Sequence, residues 1–284
     1  MGKPCLGKAS LFPGGIPMRF NDALIEEIND CHPTPGTCAF WWLGQMSFIV
    51  KTATKTLYFD PYLTDEERRL FPSPLRAALI DHADFVFGSH DHTDHIDDAT
   101  WKAIATASPR ATFVLPSGLA GPVSRRLSLP ESRMLPLAAD ATVSLDGLTI
   151  HAIPAAHEQL NDRNENAIFV VSGDGITLCH TGDTCLYEGL IPRLLACGPI
   201  DICMLPINGR DARRLRRNCI GNMTYQEAVD LTGALHPRLV IPGHYDMFPD
   251  NTENPMLFAS YLEIKYPDQD FWIGPHARKI LFPY

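Results

Sequence analysis

The chain has 284 residues and a formal net charge of −9 at pH 7. This length permits a large buried core in one domain, and the acidic balance argues against nucleic-acid or anionic-membrane partners. No apolar stretch is long enough to cross a bilayer, and residues 1–15 lack a continuous hydrophobic signal segment, which predicts a cytoplasmic protein.

Composition changes near residue 37. We interpret residues 1–36, which are rich in glycine and proline and hold a short helical pattern near Asn21–Asn29, as an N-terminal extension, and residues 37–284 as one large domain. Hydrophobic patterns predict strands at Ala39–Gln45, Ser47–Val50, Thr56–Asp60, Phe85–Gly88, Thr112–Leu115, Leu148–Ile153, Ala167–Val171, Ile176–His180, Ile202–Leu205 and Leu239–Pro242. They predict helices at Asp97–Ala107, Gly118–Arg126, Leu186–Ala196 and Tyr225–Leu235, the last with a capping-box signal in Thr224 and Glu227. This layout predicts an α/β fold in which two sheets pack face to face between outer helices.

The densest chemical signal is the run SHDHTDH at residues 89–95. In an extended segment the alternating His90 and His92 point the same way, while Asp94 and His95 point elsewhere, toward a second ion. The apolar strand Phe85–Gly88 precedes the run, so the donors leave a strand end and enter a loop. The alternative is a histidine-rich surface turn, but a pair of adjacent metal ions needs about this density of donors.

Three further candidate donors, His157, Asp183 and His244, follow predicted strands, and Asp60 ends another. A lone histidine after a strand is more often a structural residue than a ligand. Repeated placement of His and Asp just after strands is what a metal site at one sheet edge requires, so these residues and the SHDHTDH run together predict such a site.

The order Asp60, HxHxDH, His157, Asp183 and His244 resembles the metallo-β-lactamase superfamily across nearly all of the chain after residue 37. Further stretches resemble the L-ascorbate-6-phosphate lactonase group: Trp42–Gln45, Thr181–Thr184, Leu205–Arg210, Gly221–Met223 and Pro242–Phe248. The chain departs from that group at His180, which stands where an aromatic residue is expected, and in its shorter length.

The resemblance implies a four-layer αββα sandwich with a binuclear metal centre. One ion would be held by His90, His92 and His157, and a second by Asp94, His95 and His244. Asp183 would bridge the two ions, and Asp60 would orient a ligand histidine through its free ring N–H. Imidazole and carboxylate donors favour zinc, whereas the lactonase resemblance suggests manganese.

Two ions this close can share a hydroxide that attacks an electrophilic carbon or phosphorus. Asp94 is the candidate catalytic residue that orients the hydroxide and shuttles its proton. No GxSxG motif suggests a protein nucleophile instead.

Substrate recognition is expected near five arginines within residues 210–217. Because arginine binds phosphate and carboxylate in forked geometry, the candidate substrate-binding residues are Asn208, Arg210, Arg214 and Tyr245. The alternatives are a solvated basic loop or a contact between subunits, since the resemblance also suggests a homo-oligomer.

Three functions compete at this stage. The first is a lactonase of a small anionic sugar derivative, such as a phosphorylated one. The second is a metal-dependent phosphodiesterase of a nucleotide, RNA or phospholipid head group, because the same donor set serves such relatives; neither net positive charge nor an RNA-binding appendage favours RNA. The third is a catalytically silent binding protein, against which the intact donor set argues.

Overall fold

The computed structural model describes residues 20–157, 163–219 and 221–283. Two sheets and the helices outside them account for its regular structure. The strands are β1 (Cys38–Gly44), β2 (Ser47–Lys51), β3 (Thr56–Phe59), β4 (Phe85–Phe87), β5 (Thr112–Pro116), β6 (Met134–Leu137), β7 (Ala141–Leu145), β8 (Leu148–Pro154), β9 (Ala167–Gly173), β10 (Ile176–His180), β11 (Ile202–Pro206), β12 (Leu239–Gly243) and β13 (Ile280–Phe282). The α-helices are α1 (Asp22–Asn29), α2 (Asp98–Ala107), α3 (Ala120–Leu127), α4 (Leu190–Ala196), α5 (Ala212–Arg216), α6 (Tyr225–Leu235) and α7 (Pro255–Lys265).

One sheet has seven strands in the order β13-β1-β2-β3-β4-β5-β6, and the other has six in the order β12-β11-β10-β9-β8-β7. In the first sheet β3, β4, β5 and β6 pair in parallel, and in the second β10, β11 and β12 do so. The remaining neighbours pair antiparallel. Both sheets are therefore mixed, and the predicted α/β sandwich of two facing sheets is confirmed.

Strand β1 is buried along its whole length and divides its side chains between two cores. Phe40 and Trp42 belong to the core between the sheets, whereas Trp41 and Leu43 belong to an outer core beneath helices α2 and α3. Alternation along a strand sends successive side chains to opposite faces, so the all-apolar sequence of β1 is that of a strand covered on both sides.

Helix α1 docks on the outer face of the first sheet. Its buried residues Leu24 and Ile28 join the outer core, and Glu27 accepts a hydrogen bond from Trp41 Nε1 at 2.9 Å. The predicted helix near Asn21–Asn29 is thus present and packed. Residues 1–19 of the predicted extension lie outside the described residues, so the boundary at residue 36 stays a prediction. None of the helices described is both long and apolar enough to cross a membrane.

The sequence patterns missed the elements that are short or exposed. Strand β7 lies at a sheet edge with partly exposed residues along it, so it lacks a clear apolar alternation. Helix α4 begins at Leu190 rather than at the predicted Leu186, because Gly189 precedes it in a left-handed conformation (φ 92°). Strands β6 and β13 and helices α5 and α7 were not predicted.

The topology brings several strand ends to one edge. Strands β8 and β10 are both antiparallel to β9 and so run in the same direction, which β11 and β12 share. By the same logic β1 runs with β3 and β4. The carboxyl ends of these strands, where the candidate donors follow, therefore meet at one end of the sandwich.

Phe169 of β9 is fully buried between the sheets, 5.4 Å from the ring of Phe87. We predict that Phe169→Ala lowers the free energy of unfolding by about 3–5 kcal/mol, because the lost contacts leave a cavity between two rigid sheets. Chemical denaturation at equal metal content measures this. The matched control, Phe20→Ala, removes a ring that is 41% exposed and should change stability by less than about 0.5 kcal/mol; equal effects would contradict the prediction.

Candidate metal centre

Strained turns place three side chains at this end of the sandwich. Gln45, Asp60 and His244 each follow a strand and have positive φ angles of 49°, 42° and 56°. Non-glycine residues adopt this left-handed conformation at a cost, and it persists where the surrounding structure enforces it. All three residues are buried. Such clustering of backbone strain is characteristic of functional sites.

The first donor group consists of three histidines. His90 Nε2 lies 2.9 Å from His92 Nδ1, and His157 Nε2 lies 3.2 Å from the same His92 atom. These residues come from the ends of β4 and β8, so the two sheets meet here. Three ring nitrogens converging at this spacing is the arrangement of ligands around one cation.

The second donor group consists of Asp94, His95 and His244. Asp94 Oδ2 lies 3.4 Å from His244 Nε2 and 3.7 Å from His95 Nε2. His95 and His244 stack with their ring centroids 5.6 Å apart. The two histidines are buried, while the Asp94 side chain is 18% exposed.

Asp183 lies between the two groups. Its carboxylate is 3.1 Å from His244 Nε2, 3.5 Å from His95 Nε2 and 3.9 Å from His157 Nε2. One side chain thus contacts donors of both groups. The structure brings together all seven donors that the resemblance implied, with Asp183 in the shared position.

Asp60 and Ser89 fix the orientation of His95 from behind. Asp60 Oδ2 lies 2.5 Å from His95 Nδ1, and the carboxylate also accepts hydrogen bonds from the Ser89 backbone N–H at 2.7 Å and the Ser89 hydroxyl at 2.6 Å. Gly182 packs so closely on Ser89 that an added Cβ would lie 2.4 Å from the Ser89 Cβ. With Nδ1 facing Asp60, the Nε2 atom of His95 is the one that faces Asp94 and Asp183.

Burial and neighbouring charge set the protonation of the two groups. Burial lowers the pKa of His157 to about 4, and burial together with the charge of His95 lowers the pKa of His90 well below its usual value. Burial would also lower the pKa of His244, but the carboxylates of Asp183 and Asp94 outweigh burial and raise that pKa to about 9. Imidazoles that stay neutral in the first group can donate a lone pair, and the second group has carboxylates that attract positive charge.

The residues fit divalent cations. His95 Nε2 and Asp183 Oδ1 are buried 3.5 Å apart, and neither makes a hydrogen bond among the described residues. Buried polar atoms are normally paired because leaving them unpaired is unfavourable. Imidazole and carboxylate donors aimed inward without partners are what a cation would satisfy.

An open cleft of about 560 Å³ lies above the donors. Basic, apolar and acidic side chains share its wall. In the described part of the chain it is lined by Glu66, Arg68, Asp91, His92, Thr93, Asp94, His157, Asp183, Arg214, Arg217, Asn218, Cys219, His244, Phe248, Asp250 and Asn251. Arg214 is the one predicted substrate-binding residue in this wall.

The other three predicted substrate-binding residues are not among those that line this cleft. Asn208 is fully buried, and its side chain donates to Asn251 and accepts from Asn222. Arg210 forms a forked ion pair with Glu227, with both N···O distances at 2.6 Å. These two residues stabilise the loop that precedes α6 and the N-terminal cap of that helix.

Tyr245 is 7% exposed and packs on Trp42 with ring centroids 5.1 Å apart. The structure therefore assigns structural contacts to Asn208, Arg210 and Tyr245 in place of the expected contact with substrate.

His180, where the chain departs from the lactonase pattern, packs against other rings as an aromatic residue would. It is fully buried and stacks on Phe59 with ring centroids 5.1 Å apart, and its Nε2 is hydrogen-bonded to the Met46 carbonyl at 2.8 Å. An imidazole here fills the space of an aromatic ring.

Sequence reasoning gave no role to Gln45, which the structure places beside the second donor group. Its Nε2 donates to Asp94 Oδ2 at 3.1 Å. The signal was available, because Gln45 ends a predicted strand as the other site residues do, but glutamine is not a typical metal ligand.

Comparison with known proteins agrees with this architecture. Residues 55–245 match the family model of the β-lactamase superfamily domain. The chain is 30% identical over 226 residues to a UPF0173 metal-dependent hydrolase of Pyrobaculum arsenaticum, covering 78% of this chain and 90% of the relative. A relative from Pyrobaculum calidifontis with the same description is 29% identical with the same coverage.

Solved structures share the fold at lower identity. Igni18, a metallo hydrolase from Ignicoccus hospitalis, superimposes with a TM-score of 0.69 at 22% identity, covering 87% of this chain and 99% of that protein. The isothiocyanate hydrolase from Delia radicum gut bacteria gives a TM-score of 0.68 at 16% identity, covering 85% and 98%. With the family match over most of the domain, the chain belongs to the metallo-β-lactamase superfamily as a metal-dependent hydrolase of the UPF0173 family.

Proposed function

We propose that this protein is a binuclear hydrolase of a small anionic substrate, with a sugar lactone as the favoured class. The observation that carries the proposal is the convergence of two donor groups on Asp183 at the base of an open cleft. His90, His92 and His157 would hold one ion, and Asp94, His95 and His244 the other. Zinc and manganese both suit these donors.

When bound, two divalent cations would lower the pKa of a water molecule and stabilise negative charge on the substrate. The Asp94 carboxylate lines the cleft. Burial by itself would raise its pKa, but the charges of His95 and His244 outweigh burial and hold that pKa well below its usual value. An ionised carboxylate at this place can orient a water molecule and accept its proton, the role that we assign to Asp94.

The cleft wall supplies the recognition of negative charge. The Arg214 guanidinium donates to the backbone carbonyls of Asn208 and Thr252, which fix its orientation. Arg217 shares the wall and pairs with Asp250 at 2.8 Å, Arg214 lies 3.4 Å from Asp211, and the Arg68 guanidinium lies 5.5 Å from the ring centroid of Phe248. Guanidinium groups bind carboxylate and phosphate well, and Phe248 adds an apolar surface for a carbon ring.

The lactone assignment rests on the stretches that resemble the ascorbate-6-phosphate lactonase group, including Thr181–Thr184 and Pro242–Phe248. A phosphodiester of comparable size would meet the same donors and the same arginines. The competing activity, a phosphodiesterase of a nucleotide or phospholipid head group, is therefore an outcome of the test.

We predict that the metal-loaded protein hydrolyses a sugar-lactone phosphate and that Asp94→Ala lowers kcat by roughly 10²–10⁴-fold, because the variant loses both the proton acceptor and a ligand of the second ion. Steady-state kinetics with this lactone and with bis-p-nitrophenyl phosphate measure both activities. The control Asp230→Ala removes a surface carboxylate paired with Lys265 and should keep full activity. Turnover of the diester without turnover of the lactone would overturn the lactone assignment.

We predict that Asp60→Asn weakens metal binding by roughly 10–100-fold, because the amide cannot hold His95 as the carboxylate does. Titration of the metal-free protein with zinc against a chromophoric chelator measures the affinity. Asp81→Asn makes the same change at a carboxylate that is 69% exposed and should bind as the wild type does. Unchanged affinity in Asp60→Asn would remove its assigned role.

We predict that Arg214→Gln raises KM for an anionic lactone by roughly tenfold or more with a smaller change in kcat, since a charge-assisted hydrogen bond contributes about 1.5–3 kcal/mol. A neutral lactone should show little change in KM. Arg193→Gln alters a surface arginine paired with Asp140 and is the control. An equal rise in KM for the neutral and anionic lactones would contradict charge recognition by Arg214.

A further inference from the structure

Gln45 occupies the turn between β1 and β2 and has a fully buried side chain. Its Nε2 donates to Asp94 Oδ2 at 3.1 Å and lies 3.5 Å from His244 Nε2. Asp94 and His244 belong to the second donor group. Because an amide nitrogen is a donor without acceptor capacity, this hydrogen bond fixes the position of the Asp94 carboxylate.

We propose that Gln45 is a positioning residue that sets the affinity of the second donor group, Asp94–His95–His244, for its ion. The inference rests on the proposed two-ion function. Within the described residues, the Gln45 amide nitrogen donates to Asp94 and lies beside His244, both members of this second group, and it makes no hydrogen bond with the three histidines of the first. Its effect is therefore specific to one of the two ions.

The main chain of Gln45 is fixed from several sides. Its carbonyl accepts hydrogen bonds from the Trp42 indole at 2.9 Å and from the His244 backbone N–H at 3.0 Å. Its own N–H donates to Asp246 Oδ1 at 3.4 Å, and Asp246 is in turn hydrogen-bonded to His276. These contacts enforce the left-handed backbone of Gln45 and tie it directly to the donor His244.

The buried side chain and left-handed backbone of Gln45 are both unfavourable for stability, which favours a functional reason for this residue. Gln45 Oε1 is buried without a hydrogen-bond partner among the described residues, which is unfavourable for stability. A non-glycine residue at φ 49° adds backbone strain. An apolar residue would fill the same space without the unpaired oxygen, so the benefit lies in the amide donor to Asp94.

The donor holds Asp94 in one orientation. Asp94 Oδ2 lies within 4 Å of both His244 and His95, and either ring could draw the carboxylate toward itself when no cation is bound. A hydrogen bond from Gln45 restrains that rotation and leaves the carboxylate ready for a cation. Partners of ligating carboxylates commonly influence metal affinity in this way.

The test compares Gln45→Met, which keeps the length of the side chain but removes the donor, with Gln45→Gly, which removes the side chain and relieves the positive φ. Gln226→Met on helix α6 is the matched control. Metal-free proteins are titrated with zinc against a chromophoric chelator to obtain two stepwise affinities. Thermal unfolding of the metal-free proteins reports whether each variant folds.

Both Gln45 variants are expected to bind one zinc ion with wild-type affinity and the other roughly 10–100-fold more weakly. Gln226→Met should match the wild type. To assign the affected ion, Gln45→Met is combined with His157→Ala, which disables the first group, and with His244→Ala, which disables the second. The change should weaken the remaining ion in the first background and leave it unaffected in the second.

The outcomes separate this inference from the proposed function. If the wild type binds fewer than two ions, the binuclear proposal fails and the inference fails with it. If the wild type binds two ions and Gln45→Met and Gln45→Gly do so with unchanged affinities, the inference alone is overturned. Loss of folding in both variants, or equal weakening of both ions, would assign Gln45 a general structural role and would also overturn it.

Discussion

The crowding of ionisable side chains at one end of the sandwich is the constraint on which this site depends. Asp94 and Asp183 lie within 4 Å of His244 and His95, and of these four side chains Asp94, at 18%, is the most exposed. Ionised groups in a buried place are unfavourable unless an opposite charge compensates them. In the metal-free protein, protons on the histidines of the second group supply that compensation, which is why the pKa of His244 is raised to about 9. A divalent cation would satisfy the same carboxylates.

The two sheets allow this crowding because they hold the donors rigidly. Donors of the first sheet follow β4, with Asp60 behind them after β3, and those of the second sheet follow β8, β10 and β12. A core of interlocking aromatic residues between the sheets, with Phe87 of the first sheet and Phe169 of the second 5.4 Å apart, fixes their separation. Close-packed cores of this kind resist small displacements. The left-handed turns at Gln45, Asp60 and His244 then direct individual side chains within a scaffold that cannot relax to avoid the strain.

The cleft combines a fixed base with a more varied wall. Its base is built by the donors, which Asp60, Ser89 and Gln45 orient through short hydrogen bonds. Its wall comes from loops, including the segment that contains Arg68, and from the short helix α5, which contains Arg214 and is followed by Arg217. Loops on a rigid scaffold commonly carry specificity. The superfamily site thus provides hydrolysis as a class of chemistry, and the proposed preference for an anionic substrate rests on three arginines in a wall that also contains Glu66, Asp91 and Asp250.

Much of the fold followed from local pattern. Strand β10 and helix α6 were predicted with the bounds that the structure has, because a continuous apolar run and a capping box act over a few residues. Strand β7 at a sheet edge and helix α7, which begins at Pro255 after the cap Asn254, were missed. Both had local signals that hydrophobic periodicity does not detect, namely the Asp146-Gly147 turn between β7 and β8 and the Asn254-Pro255 start of α7.

The sequence by itself determined which side chains can serve as metal donors, because residue type and position after a strand are local properties that His90, Asp183 and His244 display in the chain. Tertiary structure alone decided which polar residues stand beside them. Gln45 and Asp94 are 49 residues apart and meet at 3.1 Å, whereas Asn208 and Arg210 turn to protein partners instead of the cleft. The reason is physical: a hydrogen bond depends on distance and direction between groups that only the packing of the two sheets brings together.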